Sequence, residues 1–267
     1  MRTPRQSTHK QSKDLAEKAF PGANKRTGLA RALSKLGFCS RSKAGELIRG
    51  GRVTLNGTIR RDPETPVRLS RDRIQVDEAA IEPAAKLYWM QNKPRGVVTT
   101  TSDEKGRGTV YDYVDRQASW LAPVGRLDKA SEGLLLLTND SEWAARVLAP
   151  ETHIEKTYHV QIGAVANEML LESLRRGIRD GRDYLHATSV RILRSGERNS
   201  WLEIVLDEGK NRQIRRMLES LGIEVLRLVR VAIGPLTLGN LQKGASRPLN
   251  GDEKLALDGE LKTKLKR

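Results

Sequence analysis

The sequence GRLDKASEGLLLLTND, residues 125–140, places one acid between two cations just before an apolar run. Asp128 lies between Arg126 and Lys129, and four consecutive leucines follow. A buried strand does not need an acid at its start, and a well-positioned carboxylate can act as a nucleophile. On position alone, an aspartate in a loop before a strand is more often a turn or capping residue. Asp128 is therefore a candidate catalytic residue that other features must support.

A second candidate group lies in EGKNRQIRRMLESLG, residues 208–222, where a helix is predicted over 212–221. Helical periodicity places apolar residues on one face and arginines on the other. Cations at a helix start oppose the helix dipole, so RNA phosphates and a carboxylate are expected to compensate them. A solvated basic helix is the alternative. The apolar residues are Ile214, Met217, Leu218 and Leu221, and the arginines are Arg212, Arg215 and Arg216.

Several other chemistries lack their sequence patterns. The segment GKN at 209–211 has neither the upstream glycine nor the Ser/Thr of a P-loop. No glycine-rich dinucleotide fingerprint follows a strand, and no carboxylate cluster indicates a two-metal nuclease. The four histidines have no metal-ligand spacing. We therefore predict no metal and no cofactor.

The charge balance favours a polyanionic partner. The chain has 48 Lys and Arg residues against 33 Asp and Glu, a net charge of +15. Binding to nucleic acid phosphates releases condensed counterions, although a basic surface without a partner is the alternative. Cys39 is the only cysteine, and neither a secretory signal nor an apolar run of membrane-spanning length is present. These features predict a cytoplasmic protein.

The N-terminal part predicts a small α+β unit behind a basic flexible arm at 1–26. Leucine and alanine periodicity predicts a helix ending at Gly37, and Ser40 is the expected N-cap of a second helix. Asn56-Gly57 predicts a hairpin turn. Arg41 and Arg49 share a helix face with Gly45, which could let a phosphate backbone approach closely. A solvated face and a DNA-reading helix-turn-helix are the alternatives, and the hairpin argues against the latter.

The segment SKLGFCSRSKAGELIRGGRVTLNG resembles the S4 RNA-binding module. The similarity covers about residues 27–75 and includes the leucine helix, the Ser-Arg start of the second helix and the Asn-Gly turn. It implies a ligand class, structured RNA, rather than a reaction. The residues that it implies in RNA contact are Arg41, Lys43, Arg49 and Arg52.

The remainder predicts a larger α+β domain with a mixed, mainly antiparallel sheet flanked by helices. We expect the S4-like domain at 27–80, a junction within 78–86, a catalytic domain at 86–250 and a charged tail at 251–267. Strand candidates outnumber helices in this part. They cover 87–92, 97–101, 134–138, 156–163, 187–193, 200–207 and 224–231, and the other two predicted helices cover 141–149 and 168–176.

Four segments of this domain resemble pseudouridine synthases of the RsuA/RluB/RluF type. They are GRLDKASEGLLLLTND, KTYHV at 156–160, EGKNRQIRRMLESLG and LRLVRVAIGPLTLGNLQKGASRPL at 226–249. The segments follow the order found in the family, behind an S4 module, and the resemblance covers roughly residues 27–250. It implies an RNA isomerase that detaches uracil from C1′ through N1 and reattaches it through C5. That reaction has no redox step and requires no cofactor.

The resemblance also implies roles for individual residues. Asp128 becomes the nucleophile, and Arg215 pairs with it and keeps it ionised. Tyr158 stacks on the extruded base, and Leu226 lines the opposite wall. The alternatives are a core-edge tyrosine and an ordinary core leucine. The basic residues implied in substrate binding are Arg126, Lys129, Lys156 and Arg212.

We therefore predict a monomeric synthase that modifies ribosomal RNA, naked or in an assembling subunit. The motif EGKNRQIRRM and the closing segment favour large-subunit rRNA as the substrate. The alternative is a non-catalytic S4-containing RNA-binding or ribosome-assembly protein. The joint presence of Asp128, Tyr158 and Arg215 argues against it. A DNA-binding regulator is a third hypothesis, but it leaves most of the chain unexplained.

Overall fold

The computed structural model describes residues 26–100, 108–114 and 120–264. Within these ranges the chain forms two compact units that divide between Lys86 and Leu87, and residues 120–121 and 139–141 group with the first unit. The expected junction at 78–86 ends where the second unit begins. Nearly all of the expected basic arm at 1–26 lies outside the described residues.

The first unit consists of two short helices and small antiparallel strands. β5 lies between β2 and β6, β3 pairs with β2, and β1 pairs with β4. The elements are β1 (Thr27–Gly28), α1 (Leu29–Lys35), α2 (Arg41–Arg49), β2 (Val53–Leu55), β3 (Thr58–Ile59), β4 (Pro66–Val67), β5 (Ile74–Val76) and β6 (Ala79–Ala80).

Local sequence signals explain these elements. Leu29, Leu33 and other apolar residues of α1 are buried, which confirms the predicted face. The Ser40 hydroxyl accepts a hydrogen bond of 3.1 Å from the Lys43 amide, as expected of an N-cap. Asn56 and Gly57 both have positive φ, 53° and 81°, which a type I′ turn between β2 and β3 requires.

The second unit is organised around a nine-stranded sheet. Its main path has the order β13-β14-β10-β15-β9-β7-β17, with β8 on β9 and β16 on β15. The strands are β7 (Tyr88–Lys93), β8 (Ala122–Val124), β9 (Glu132–Thr138), β10 (Lys156–Ile162), β11 (Ile178–Asp180), β12 (Asp183–Leu185), β13 (Ser189–Ser195), β14 (Ser200–Leu206), β15 (Val225–Ile233), β16 (Leu236–Thr237) and β17 (Ser246–Pro248); β11 and β12 form a separate hairpin.

The sheet is mixed and mainly antiparallel, as predicted. The β9–β15 pair is parallel, whereas the other pairs along the path are antiparallel. Gly133 permits this pairing because its φ is +100° and an added Cβ would lie 2.2 Å from the Arg230 carbonyl oxygen. One expected strand differs, since within residues 97–100 the structure has only a bridge from Val98 to Thr109.

Helices cover the sheet over two apolar cores. One core, on β10, β14 and β15, contains apolar residues of α4 and α5, and the other, on β7 and β9, contains apolar residues of α3 and α6. None of the helices within the described residues has the length and apolar character to span a membrane. The helices are α3 (Ser141–Leu148), α4 (Glu168–Arg176), α5 (Gln213–Ser220) and α6 (Gly251–Lys264).

The C-terminal segment differs from the expected charged tail, because residues 251–264 form α6. Leu257 and Leu261, one turn apart, are buried in the core with α3. The Trp143 indole donates a hydrogen bond of 2.9 Å to Asp258. Charged residues dominate this segment, so two leucines were too weak a periodic signal for a helix.

Candidate active site

The loop that carries Asp128 (residues 125–131, the Asp128 loop) is attached to the body of the domain at several points. The Ser131 amide donates to the Asp128 carbonyl at 2.9 Å, which forms a turn directly before β9. The Thr99 hydroxyl donates to the Leu127 carbonyl at 2.8 Å, and the Gly96 amide donates to the Lys129 carbonyl at 2.7 Å. These bonds fix the backbone from which the Asp128 side chain projects.

Lys93, at the end of β7, holds the same loop from inside. Its side chain is fully buried, and its Nζ donates to the carbonyls of Pro94, Asp128 and Ser131 at 3.0, 3.1 and 2.8 Å. Burial lowers the pKa of Lys93 to about 8, against the opposing attraction of Glu132 and Asp128. The sequence analysis missed this residue, although a lysine within an apolar strand is itself a signal.

Among the ion pairs of the described residues, Asp128 forms one with Arg212. Arg212 Nη1 lies 3.7 Å from Asp128 Oδ2, an ion pair that is too long for a hydrogen bond. Arg212 has φ +50° at the N-cap position of α5, so its side chain leaves the helix before the first turn. About 38% of the Asp128 side chain remains exposed, which leaves the carboxylate accessible to a substrate.

Arg215 is close to Asp128 but does not form the expected direct pair. Its Nη2 donates to the Ala130 carbonyl at 3.1 Å, within the Asp128 loop. Burial lowers the pKa of Arg215, as does the nearby Arg212, whereas Asp128 raises it. Its Nε is buried without a hydrogen-bond partner among the described residues. In this structure the helix start brings Arg212 to the carboxylate and Arg215 to the loop backbone, and the implied Arg215–Asp128 pair stays a prediction.

Tyr158 and Lys156 lie two residues apart on β10 and so face the same side of the sheet. Tyr158 is half-buried against the core that contains α4 and α5, opposite Ile204 on one neighbouring strand and Arg230 on the other. The pKa of Lys156 is lowered by burial and by Arg230. Both side chains thus lie at the surface of a packed core, where an aromatic ring has a fixed position.

Leu226 and Arg95 connect β15 to this site. Leu226 is half-buried, and its carbonyl accepts a hydrogen bond of 3.3 Å from Arg95 Nη1. The charge of Arg95 contributes to the lowered pKa of Arg215, after burial and Arg212. Arg95 is exposed and was not predicted. Arg126 and Lys129, which were predicted, are also exposed on the Asp128 loop.

The third arginine of the helix has a structural role. Arg216 donates to the carboxylates of Asp180 and Asp183 at 2.5 and 2.8 Å, in the β11–β12 hairpin. Two acids of the chain therefore compensate this cation, whereas RNA phosphates together with a carboxylate were expected for the arginines of this helix. Gln213 is buried, and its Oε1 accepts a hydrogen bond of 3.3 Å from the Lys210 amide, which holds the preceding turn. Its Nε2 donates to the His186 carbonyl at 2.9 Å.

The expected RNA-binding residues of the first unit have unequal surroundings. Lys43 pairs with Glu46 at 2.9 Å, and Arg52 makes two hydrogen bonds to Asp77. Arg41 and Arg49 are exposed. The expected gap at Gly45 is filled, since this glycine is buried and Arg49 Nη1 lies 3.2 Å from where its Cβ would be.

The site combines one carboxylate with several cations. Arg212 pairs with Asp128, and Arg215 and Arg95 add positive potential near it. Among the described residues, no group of three or more His, Cys, Asp or Glu side chains is arranged to hold a metal ion.

Two family models match the chain. Residues 87–220 match the RNA pseudouridylate synthase model, and residues 27–74 match the S4 domain model. The first match contains Asp128 and the arginines of α5, and the second contains α1, α2 and the Asn-Gly hairpin.

Similar proteins cover most of the chain. "Ribosomal large subunit pseudouridine synthase B" of Bacillus subtilis (strain 168) is 36% identical over 227 residues, 84% of this chain and 93% of that protein. An "Uncharacterized RNA pseudouridine synthase" of Aquifex aeolicus (strain VF5) is 36% identical over 222 residues, 83% and 89% of the two chains. A solved structure described as "Crystal structure of pseudouridylate synthase" has a TM-score of 0.61 at 29% identity and covers 86% of this chain and 99% of its own.

Proposed function

The chain belongs to the RNA pseudouridylate synthase family and carries an S4 domain, and from this premise we propose that it converts a uridine of ribosomal RNA into pseudouridine, with Asp128 as the nucleophile. The relative from Bacillus subtilis is named for the large ribosomal subunit, which supports 23S rRNA as the substrate. We further propose that the protein acts as a cytoplasmic monomer on rRNA, naked or in an assembling subunit.

The observation that carries this proposal is the setting of Asp128. Its carboxylate is partly exposed, its loop is fixed by Lys93 and Arg215, and a cation lies 3.7 Å away. The cation beside the carboxylate supplies positive potential where the anionic RNA substrate would bind. A rigid backbone keeps the attacking oxygen at the distance that a bound nucleotide requires.

In the proposed reaction the bond between N1 and C1′ breaks and a bond between C5 and C1′ forms. The hydrogen on C5 leaves to solvent and N1 gains a proton, so the nucleotide keeps its composition. Asp128 attacks the extruded uridine, and Tyr158 stacks on the base while it turns over. Leu226 forms the opposite apolar wall, so that the base is held between two side chains.

The basic residues around the pocket bind the RNA backbone in this proposal. Arg126 and Lys129 are exposed beside Asp128, where they can contact the phosphates that flank an extruded nucleotide. In the S4 domain, Arg41 and Arg49 are the exposed candidates, and Lys43 and Arg52 would have to exchange an internal acid for a phosphate.

The test is tritium release from rRNA transcripts that carry uridine labelled at C5. Small- and large-subunit transcripts are compared, both naked and as partly assembled particles. Release from the large-subunit RNA alone is expected. Release from the small-subunit RNA alone would reject the 23S assignment, and no release from any substrate would favour the non-catalytic RNA-binding alternative.

A further inference from the structure

The sheet face opposite the core with α4 and α5 carries a row of polar and aromatic residues across four adjacent strands. Arg194 of β13 lies opposite Trp201 of β14, Trp201 opposite Gln161 of β10, and Gln161 opposite Arg227 of β15. Their neighbours Leu202 and Leu228 point to the core. We refer to Arg194, Trp201, Gln161 and Arg227 as the tryptophan row.

Two arginines contact the indole of Trp201 from strands on either side of β14. The Cζ atoms of Arg194 and Arg227 lie 5.2 and 5.8 Å from the ring centroid, within cation–π range. Trp201 is half-buried, while Arg194 and Arg227 are exposed. The indole of Trp201 can therefore offer area for stacking. It already contacts the guanidinium groups of Arg194 and Arg227, which are flat and cationic.

The charges beside the row favour an anion. Glu132, which is almost completely buried, accepts hydrogen bonds of 2.9 and 3.1 Å from Arg227 and pairs with Lys243 at 2.7 Å. Arg227 and Lys243 both pair with this carboxylate, and Arg194 adds a third cation beside the indole. The surplus of two positive charges is complementary to a nucleic acid backbone.

The row lies at the same end of the sheet as Asp128. β9 begins at Glu132, four residues after Asp128, and Glu132 pairs with Val229 of β15. From β9 to β14 there are three interstrand spacings, and Trp201 lies two residues along β14 from Glu203, which is in line with Glu132. Glu132 and Trp201 are therefore separated by about 16 Å. Tyr158 faces the core with α4 and α5 and the row lies on the other face, so an RNA strand that passes from Asp128 to the row goes around this end of the sheet.

We propose that the tryptophan row is a second RNA-binding site, which holds an unpaired stretch of the substrate a few nucleotides from the target uridine. This inference rests on the proposed function, since the RNA is the substrate. One base stacks on Trp201 in place of a guanidinium, and the released arginine binds a neighbouring phosphate. Stacking accepts any base, so the site adds affinity and fixes the path of the strand without reading its sequence.

The experiment compares four single variants in rRNA binding and in tritium release. Trp201→Leu removes the aromatic ring and Trp201→Phe retains one. Arg194→Gln removes a charge from the row, and Arg179→Gln removes one from the exposed surface of β11 as the matched control. The substrates are a stem-loop with the target alone and the same stem-loop with its flanking unpaired nucleotides.

For the extended RNA, Trp201→Leu is expected to raise Kd about tenfold, the effect of one stacked base, and Trp201→Phe to restore most of the affinity. Arg194→Gln should raise Kd more than Arg179→Gln, with kcat unchanged in all four variants. The stem-loop should bind all variants equally.

Equal Kd values for wild type and Trp201→Leu on the extended RNA would overturn the proposal. A protein partner would then be the alternative ligand of the row. Equal losses in Arg194→Gln and Arg179→Gln would also overturn it, as an effect of general charge. If Trp201→Leu does not fold, the comparison of Arg194→Gln with Arg179→Gln tests the proposal. Absence of tritium release by wild type would reject the proposed function, whereas the Kd comparison would still test the row.

Discussion

Arg212 Nη1 lies 3.7 Å from Asp128 Oδ2, whereas Arg215, one helical turn later, donates to the Ala130 carbonyl at 3.1 Å. The two arginines therefore act on Asp128 in different ways. Arg212 supplies charge at an exposed position, and Arg215 fixes the loop backbone while adding a half-buried positive charge.

Replacing these two arginines should therefore have unequal effects. Arg215→Ala is expected to lower kcat about 100-fold, because it removes both a bond to the Asp128 loop and a half-buried charge. Arg212→Ala should lower kcat less than tenfold, since exposed ion pairs contribute little. Steady-state tritium release measures both. A larger loss of kcat in Arg212→Ala would reverse the two assignments.

Lys93→Met should loosen the Asp128 loop. The substitution keeps the apolar stem but leaves the carbonyls of Pro94, Asp128 and Ser131 without this donor. A loss of about 2 to 3 kcal/mol in the free energy of unfolding is expected, together with a lower kcat. Urea unfolding and tritium release test this. An unchanged kcat in a destabilised protein would show that Lys93 supports the fold alone.

Wild type and Lys93→Met should also differ in the pH dependence of the free energy of unfolding. Burial lowers the pKa of Lys93 from its ordinary 10.5 to about 8 in the folded protein. Between these pH values the unfolded chain binds more protons, so the stability of wild type relative to Lys93→Met should rise with pH from 8 to 10.5. The gain is at most about 3 kcal/mol. A difference that is flat or falls with pH would contradict it.

The C-terminal helix offers a matched pair of leucines. Leu257 is fully buried, and Leu255, in the same helix, is 69% exposed. Leu257→Ala should reduce the free energy of unfolding by about 2 to 5 kcal/mol, and Leu255→Ala by less than about 0.5 kcal/mol. Urea unfolding of the two variants measures the difference. Equal small losses would mean that α6 does not contribute to the core.

Binding through the S4 domain should depend on salt. Arg49→Gln is expected to weaken rRNA binding and to reduce the slope of log Kd against log salt by about 0.7 to 0.9, the contribution of one phosphate contact. The value of kcat should not change. Lys262→Gln removes an exposed charge from α6 and serves as the control. If both variants change the slope equally, Arg49 contributes only general charge.

Much of the fold could be predicted from local sequence signals. The apolar face of α1, the Ser40 cap and the Asn-Gly turn lie where the pattern placed them. In α5, Ile214, Met217 and Leu218 are buried as predicted, whereas Leu221 follows the helix and is exposed. α6 was missed because its burial depends on Trp143, more than 100 positions away. β17 was missed as well, since three residues carry too little periodicity.

The residues of the candidate site could be proposed from the sequence, but the contacts between them could not. Asp128 and the arginines could be identified from sequence, yet which arginine faces the carboxylate depends on the φ of +50° at Arg212. Glu132 and Arg227 are 95 positions apart in the chain, and only the parallel β9–β15 pairing brings them together.

The central claim is that Asp128 carries out the reaction. The most direct measurement compares wild type, Asp128→Asn and Asp128→Glu in tritium release from C5-labelled rRNA, with Kd for the same RNA measured in parallel. Asp128→Asn keeps the size of the side chain and removes its charge, so release should fall below detection while Kd stays within about threefold. Tritium release by Asp128→Asn at the wild-type rate would contradict the account.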